Sequence, residues 1–388
     1  MKILFYRYGS ICEPAIIRTF QANKLEVIEI TEEITDKNIT SSARVKMVHD
    51  MLSKHAPLFV FSINFFPAVA EICHLHKTLY LCWTVDSPVL ELFSNSITHN
   101  TNRIFLFDRA QYETFAPYNE DCIFHLPLAS DIEHYESVTN NITENDRLKY
   151  SNDISFIGSL YNEKNPLHKF SFSEYISGYL NGIVEAALKV YGCNLTEELV
   201  NEQLINAFKD AGYSYHGPSN TIINPDNYTI AHSYIGMQIA ETERIRTLNS
   251  LAKHFNVDLY TRSDTTALQN VTIHGGVKTL TEMPKIFHLS KINLNMTIKP
   301  IQTGLPLRIF DIMGCGGFLM TNYQAELTEH FTIGTDLDAY SSMDELIDKC
   351  AFYLEHDDIR KTIAQNGYEK IRKHHTYQHR IIEMLHNI

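Results

Sequence analysis

Short apolar runs alternate with amphipathic segments through the first third of the chain. Apolar runs bounded by turn residues are typical of buried strands, whereas apolar positions three and four residues apart are typical of helices. The pattern predicts strands at 2–6, 26–30, 58–62, 79–83, 103–107 and 122–126, and helices at 13–22, 42–53 and 67–76. Strands and helices in alternation indicate a parallel sheet with helices on both faces.

The alternation stops after residue 130 and resumes near residue 243. A polar segment at 130–152 indicates a linker, and a strand is predicted at 153–158. An inserted helical block at about 164–240 follows, with amphipathic helices predicted at 172–190 and 197–211 and more helix near 230–239. The resumed pattern predicts strands at 257–260, 271–274, 292–295 and 318–321, a further strand near 337, and helices at 244–255, 283–289, 343–356, 358–374 and 377–388.

These elements predict an α/β protein with two doubly wound, Rossmann-like domains. We expect the N-terminal domain at 1–150 and the C-terminal domain at 151–375, with the helical insert inside the latter. For the last helix, 376–388, we expect a return to the N-terminal domain. The chain has 388 residues, which is enough for two domains of ordinary size.

Composition narrows the class of protein. The net charge of −13 disfavours a general nucleic-acid binder, which needs a concentrated basic surface. Seven scattered cysteines indicate neither a disulfide framework nor a zinc site. The N-terminus does not resemble a signal peptide, and no apolar run is long enough to span a bilayer, so we expect a cytoplasmic protein without a transmembrane segment.

Ligands of doubly wound sheets bind at the carboxyl ends of the strands. In the first half, this rule places Gly9, Ser10, Asn64, Asp86 and Asp108 on the functional edge. Asp86 is the first candidate for a catalytic carboxylate, which would deprotonate or orient an acceptor hydroxyl. The alternative is a structural acid that caps the next helix.

Glu13 is the second catalytic candidate, because it opens the first helix just beyond Gly9. An acid at a helix N-terminus is also favourable for purely structural reasons, which is the alternative interpretation.

The segment 303–322 holds the most informative chemistry. Arg308 and Asp311 lie three residues apart and share one helix face. The glycines Gly314, Gly316 and Gly317 allow backbone to come close to a ligand or to other backbone. A positively charged side chain, a carboxylate and accessible backbone amides together are typical of a site that binds a ligand with phosphate and ribose groups. The alternative is a C-cap glycine followed by an ordinary strand.

This segment resembles the donor-nucleotide element of GT-B glycosyltransferases of the group 1 type. In that element an acid, here Asp311, precedes a short turn, here Gly314-Cys315-Gly316. Those enzymes often carry a second acid at the position of Thr303, so a two-carboxylate clamp is not intact here. The pairing of one arginine with one acid is similar to the spore-maturation-type branch of these enzymes.

Further marks of that branch extend over nearly the whole chain. They are the segments 5–13 (FYRYGSICE), 83–88 (WTVDSP), 103–109 (RIFLFDR), 125–129 (HLPLA), 155–161 (SFIGSLY), 273–275 (IHG) and 292–295 (INLN). The resemblance implies the GT-B arrangement, in which two Rossmann-like domains face a central cleft. It also implies a glycosyltransferase whose donor domain is the C-terminal one.

The implied substrate is a nucleotide diphosphate sugar, UDP- or GDP-linked, whose sugar moves to a hydroxyl of a glycan, lipid-linked glycan or protein. The resemblance implies no metal cofactor, because helix N-termini and basic side chains stabilise the leaving diphosphate. The single Asp-x-Asp sequence, Asp336-Leu-Asp338, lies past the glycine-rich site and is not expected to hold metal.

Arg308 is the candidate for the pyrophosphate, since a bidentate guanidinium fits phosphate well. Its alternative role is a salt bridge to Asp311, which itself would accept ribose hydroxyls. The remaining candidates for donor binding are Gly9, Gly158, Ser159, Arg244, Tyr260, His274, Gly275, Asn295 and Thr303. For most of these residues the alternative is a purely structural role, in a turn, at the end of a strand or on the solvated face of a helix.

Two other functions stay open at this point. A nucleotide-sugar epimerase of the same fold would need no acceptor, and a catalytically silent nucleotide- or sugar-binding protein would explain the missing acid at Thr303. The sequence does not determine the donor base and sugar, the acceptor or the stereochemical outcome.

Overall fold

The computed structural model describes all 388 residues of the chain. They divide into two compact units. The first unit comprises Met1–Leu128, His216–Pro225 and Tyr377–Ile388, and the second comprises Ala129–Tyr215 and Asp226–Thr376.

The first unit is built on a six-stranded parallel sheet with the order β2-β1-β3-β4-β5-β6. Its strands are β1 (Lys2–Tyr6), β2 (Glu26–Ile30), β3 (Phe59–Ile63), β4 (Leu79–Trp83), β5 (Asn102–Leu106) and β6 (Ile123–His125). Its helices are α1 (Glu13–Ala22), α2 (Glu32–Thr35), α3 (Ser41–His55), α4 (Pro67–Leu75) and α5 (Arg109–Phe115). Every residue of β3 is buried, as expected for a central strand of a parallel sheet covered on both faces.

Trp83 ends β4 inside this core, and its indole Nε1 donates to the carbonyl of Leu126 at 3.1 Å. The C-terminal helix α18 (Tyr377–Leu385) also belongs to the first unit. Its Tyr377 ring meets Trp83 edge-on at 6.0 Å, and Arg380 donates to the carbonyl of Pro127.

The second unit is built on a six-stranded sheet with the order β12-β11-β10-β7-β8-β9. Its strands are β7 (Ile154–Ile157), β8 (Val257–Tyr260), β9 (Thr272–His274), β10 (Ile292–Asn295), β11 (Leu319–Asn322) and β12 (Asp338–Tyr340). All its strand pairs are parallel, which confirms the prediction of two Rossmann-like sheets.

Helices of the second unit lie on both faces of this sheet and in the insert. They are α6 (Ile132–Thr139), α7 (Glu144–Tyr150), α8 (Glu174–Ala187), α9 (Thr196–Leu199), α10 (Glu202–Asp210), α11 (Asp226–Thr229), α12 (Gly236–Leu251), α13 (Met283–Leu289), α14 (Leu307–Gly314), α15 (Leu327–His330), α16 (Met343–Glu355) and α17 (Asp357–His374). A π-helical stretch, Ile230–Ile235, joins α11 to α12. The helix predicted near 230–239 is thus present, and it is continuous with the one predicted from residue 244, which ends at Leu251.

The insert has an apolar core of its own, in which helices α8 and α10 pack with the π-helical stretch. Leu180, Leu204, Phe208 and Ile235 are among its buried side chains. The segment 216–225 leaves this block and belongs to the first unit, where Ile222 N donates to the carbonyl of Phe93. The insert is therefore not continuous with a single unit along the sequence.

The predicted linker at 130–152 is wrong, because α6 and α7 occupy most of it. Thr143 Oγ1 accepts from the backbone N of Asp146, and the Asp146 carboxylate accepts from the backbone N of Thr143. This reciprocal capping box satisfies amide groups that a short polar helix would otherwise leave unpaired. The same segment lies in the second unit, so the boundary between the units falls at residue 128 rather than at 150.

No helix of the chain is both long enough and apolar enough to cross a membrane.

Removal of the Thr143 cap should weaken the second unit. In Thr143→Ala, the Asp146 amide loses its acceptor, so we expect the free energy of unfolding to fall by about 1 kcal/mol. Urea unfolding followed by far-UV circular dichroism measures this. Thr143→Ser, which keeps the hydroxyl, is the matched control, and equal stability of the two variants would contradict the capping role.

Candidate functional site

The strand order of the second sheet reverses between β7 and β10. β7 is the first strand of this sheet and connects towards β8 and β9, whereas β10 connects towards β11 and β12 on the other side. At such a point the loops after neighbouring strands diverge and leave a crevice, which is where ligands of doubly wound sheets bind. Gly158 and Ser159 follow β7, and Met296 follows β10. The predicted Gly158 and Ser159 therefore lie at this reversal point.

Arg244 holds the two sides of the reversal point together. Its Nη1 donates to the carbonyl of Ser159 at 2.5 Å, and its Nη2 donates to the carbonyl of Met296 at 2.7 Å. The guanidinium also lies over the rings of Phe156 and Tyr161, at 5.2 and 4.6 Å. The structure thus gives Arg244, a predicted donor-binding residue, a structural role that fixes both loops. The neighbouring Arg246 pairs with Glu185 at the surface instead.

Arg308 and Asp311 form the salt bridge that was the alternative interpretation of their spacing. Arg308 Nη1 lies 3.6 Å from Asp311 Oδ2, and Tyr135 donates its hydroxyl to Asp311 Oδ1 at 2.6 Å. Burial raises the pKa of Asp311, and the nearby Arg308 and the Tyr135 hydroxyl oppose that rise. Both oxygens of the carboxylate therefore have protein partners, which does not favour direct binding of ribose hydroxyls.

The Arg308 side chain remains partly exposed, in the first turn of α14. It lies over the Phe287 ring at 5.2 Å. Burial is the main cause that lowers the pKa of Arg244, and the charge of Arg308 acts in the same direction to a smaller extent. Two arginine side chains, Arg244 and Arg308, therefore belong to the carboxyl edge of the second sheet. Positive charge concentrated at this edge suits a phosphate group.

Two glycines of the glycine-rich turn, Gly314 and Gly317, pack closely against other protein atoms. Gly316 and Gly317 precede β11, so they lie at the amino ends of the strands, opposite the edge that binds ligands in this class of sheet. A Cβ at Gly314 would lie 2.0 Å from Ser130 Oγ, and one at Gly317 would lie 2.5 Å from the carbonyl oxygen of Phe287. At Gly314 and Gly317, the predicted close approach is thus made by protein atoms.

The side chains of Tyr260 and His274, which end β8 and β9, pack against each other. Their rings stack with centroids 4.4 Å apart, and His274 Nε2 lies 2.8 Å from Asp258 Oδ1. The Tyr260 hydroxyl accepts from Asn152 at 3.1 Å, and burial raises its pKa to about 12. This packing does not favour contact of either ring with a nucleotide base. Gly275, which follows β9, is exposed, and a Cβ added there would meet no atom within 4 Å.

Asn295 and Thr303 have protein partners of their own. The Asn295 amide donates to Thr297 Oγ1 at 3.0 Å and to Thr321 Oγ1 at 2.9 Å. Thr303 donates its hydroxyl to Glu326 Oε1 at 2.8 Å, and Glu326 is 1% exposed. A buried carboxylate thus lies next to the position where the resembling enzymes carry their second acid.

Sequence reasoning missed two buried residues of opposite charge in the second unit, Glu243 and Lys299. Glu243 and Lys299 are 5% and 9% exposed, and each shifts the pKa of the other towards its charged form. Burial acts in the opposite direction, raising the pKa of Glu243 and lowering that of Lys299. A single lysine within the mostly apolar segment 296–301 that follows β10 was the available signal for Lys299. Glu243 carried no signal, because an acid in a helix is usually solvated.

At the carboxyl edge of the first sheet, three residues from different strand ends are hydrogen-bonded. Asn64 Nδ2 donates to Asp86 Oδ2 at 2.7 Å and to the Tyr8 hydroxyl at 3.0 Å. Asp86 is exposed, whereas burial and the Asp86 charge raise the pKa of Tyr8. The Phe66 ring lies 5.7 Å from that of Tyr8. An exposed carboxylate beside two aromatic rings suits a polyhydroxylated ligand.

Glu13 is a structural residue. It is fully buried and accepts from the backbone N of Tyr8 and of Gly9, each at 2.9 Å, and from Arg7 Nε at 2.9 Å. Its carboxylate therefore holds the loop between β1 and α1, in which Gly9 has a φ of 94°. The structure thus favours the alternative interpretation of Glu13, and Asp86 is the better catalytic candidate of the two.

The Asp-x-Asp residues are engaged by protein atoms. Asp338 accepts from Tyr353 at 2.6 Å and from Lys349 at 2.9 Å, and Asp336 accepts from the backbone N of Thr332 at 2.8 Å. No group of three or more His, Cys, Asp or Glu side chains is arranged to hold a metal ion.

Comparison with known proteins gives one family match and several similar structures. Residues 243–386, less than half of the chain, match a family model described as glycosyl transferase-like. The structure of HepE from Anabaena in complex with UDP-glucose is similar over 100% of both chains, with 12% identity and a TM-score of 0.55. Sucrose-phosphate synthase from Thermosynechococcus elongatus is similar over 100% of this chain and 98% of its own, with 9% identity and a TM-score of 0.54.

A glycosyltransferase from Rickettsia africae is similar over 99% of this chain and 97% of its own, with 9% identity and a TM-score of 0.51. No curated protein sequence matches the chain. These structures show that the fold is GT-B, which confirms the predicted fold class. The family match confirms the prediction of a glycosyltransferase-type enzyme domain in the second half of the chain.

The packing role of the glycine-rich turn predicts that an added side chain there lowers stability. Gly314→Ala and Gly317→Ala should each lower the free energy of unfolding by about 1–3 kcal/mol, because the new methyl group overlaps Ser130 or the Phe287 carbonyl. Gly275→Ala is the matched control, since it meets no atom. Thermal unfolding compares the three, and equal melting temperatures would contradict the packing role.

The buried Asp311 predicts a specific pH dependence. Because its pKa is raised in the folded state, the folded protein binds the proton more tightly, and wild type should gain stability relative to Asp311→Asn as pH falls from about 7 towards 4. Urea unfolding of both proteins across this range measures the difference. A difference that does not change with pH, or that changes in the opposite direction, would contradict the raised pKa.

Proposed function

We propose that this protein is a GT-B glycosyltransferase that transfers a sugar from a UDP-sugar to a hydroxyl of a glycan, a lipid-linked glycan or a protein. The observation that carries the proposal is the family match over 243–386, the part of the chain that contains Arg244, Arg308 and the loop after β10. The choice of UDP is supported by HepE, which was solved with UDP and with UDP-glucose.

Sugar transfer breaks the anomeric C–O bond and leaves a nucleoside diphosphate, whose developing negative charge must be stabilised. We assign this role to Arg308, which is partly exposed and keeps Nε and Nη2 for a ligand while Nη1 contacts Asp311. Asp311 orients Arg308, and Arg244 keeps the backbone of Ser159 in place beside the diphosphate. In this proposal no metal ion takes part in the transfer.

For the acceptor we assign the edge of the first sheet. Asp86 would orient the acceptor hydroxyl, with Asn64 fixing its carboxylate and the rings of Tyr8 and Phe66 contacting apolar sugar faces. We expect Asp86 to assist rather than to carry the reaction alone, so its loss should be partial.

Membership in the spore-maturation-type branch and a cytoplasmic location are part of the same proposal. The Arg308–Asp311 pair supports the branch, because that pairing is its mark in the donor element. The seven free cysteines support the location, since thiols stay reduced in the cytosol.

The proposal is tested first by donor binding. Isothermal titration calorimetry with UDP, GDP, ADP and dTDP, with magnesium and with EDTA, should show binding of UDP in both conditions. Arg308→Gln should weaken UDP binding at least tenfold, which is about 1.4 kcal/mol, whereas the surface control Arg246→Gln should bind like wild type. Loss of UDP binding in EDTA would overturn metal independence, and no binding of any nucleotide would overturn the donor assignment.

Transfer is tested separately. A panel of UDP-sugars is incubated with glycan, lipid-linked and peptide acceptors, and products are identified by mass spectrometry. A new glycosidic product, reduced but not abolished in Asp86→Asn, is expected. Interconversion of the free UDP-sugar would instead indicate an epimerase, and binding without any product would indicate a silent binding protein.

A further inference from the structure

A short turn of the helical insert contacts two loops at the carboxyl edge of the second sheet. This insert turn, residues 190–194, follows α8. Lys299, in the loop after β10, donates from Nζ to the carbonyl of Val190, and its own carbonyl accepts from Asn194 Nδ2 at 2.8 Å. The Lys299 ammonium also lies over the Tyr191 ring at 5.3 Å. The insert turn thus holds both the side chain and the backbone carbonyl of Lys299 in this loop.

The same turn supports the residues that follow β11. Gly192 has a φ of 71°, and a Cβ there would lie 2.5 Å from the ring of Tyr323. The Tyr323 ring therefore packs directly on the backbone of the insert turn. Since β10 and β11 are neighbours in the sheet, four residues of the insert hold the loops after two adjacent strands.

Burial of the Lys299 ammonium costs free energy, which other interactions must offset. The side chain is buried, and Glu243 is the carboxylate whose charge acts on it. A buried ammonium needs both an opposite charge and hydrogen-bond acceptors, which Glu243 and the Val190 carbonyl provide. The position of the loop after β10 is therefore linked to the presence of the insert turn.

We propose that the insert turn is a positioning element for nucleotide binding, with Gly192, Asn194 and Lys299 as positioning residues. The loop after β10 leads to Arg308 in α14, so its placement determines where that guanidinium meets the diphosphate. This inference rests on the proposed function. It assigns the helical insert a role in the affinity for the donor nucleotide. An insert that served only to bind the acceptor would not have this role.

The test compares UDP affinity with stability. Gly192→Ala introduces a methyl group against Tyr323, whereas Gly212→Ala, at a φ of 98°, introduces similar backbone strain with no atom within 4 Å. We expect the Kd for UDP to rise about tenfold in Gly192→Ala and to stay at the wild-type value in Gly212→Ala. Asn194→Ala removes the hydrogen bond to the Lys299 carbonyl, together with the one that Asn194 Oδ1 accepts from the backbone N of Thr196. It adds no atom against Tyr323, so it serves as a second variant, and it should also raise the Kd.

Thermal unfolding of the same proteins shows whether a change in the Kd for UDP is accompanied by a loss of overall stability. Equal Kd values for wild type, Gly192→Ala, Asn194→Ala and Gly212→Ala would overturn the inference while leaving the proposed function intact. Equal weakening in Gly192→Ala and Gly212→Ala would also overturn it, because strain alone would then explain the effect. Failure of wild type to bind UDP would overturn the proposed function and this inference together.

Discussion

The buried guanidinium of Arg244 makes the interaction on which the carboxyl edge of the second sheet depends. The sheet order reverses between β7 and β10, so the backbone that leaves these strands would diverge without a link. Arg244 provides that link by donating to the carbonyls of Ser159 and Met296. The desolvation cost of the buried charge is offset by these charge-assisted hydrogen bonds and by the rings of Phe156 and Tyr161.

Arg308, in the first turn of α14, adds a second positive charge at this sheet edge, although the chain as a whole carries a net charge of −13. The carboxyl edge of the first sheet instead carries an exposed carboxylate, that of Asp86, and the aromatic rings of Tyr8 and Phe66. One sheet edge thus suits an anionic group and the other suits a neutral polyhydroxylated one. This chemical difference fits the proposed assignment of donor and acceptor to the two units.

The strands were predictable because each is a buried apolar run, and burial on both faces of a parallel sheet leaves a strong signal. Helix α7 was not recognised, because its residues are mostly polar and its stability comes from the capping box of Thr143 and Asp146. The spacing of these two residues was visible in the sequence and was the signal that could have corrected the linker. Helix near 230–239 was predicted, but not that its first residues, Ile230–Ile235, form a π-helical stretch that runs on into α12.

The sequence by itself determined the α/β class, the alternation of elements and which residue types lie at the ends of strands. Tertiary structure alone decided what those residues contact. Arg308 and Asp311 lie on one helix face by their spacing, but only the fold brings Tyr135 to the same carboxylate. Glycines at 314 and 317 indicated a close approach, and the partner atoms come from distant parts of the chain. A residue's type and spacing are local properties, whereas its partners depend on how separate elements pack, which no local pattern records.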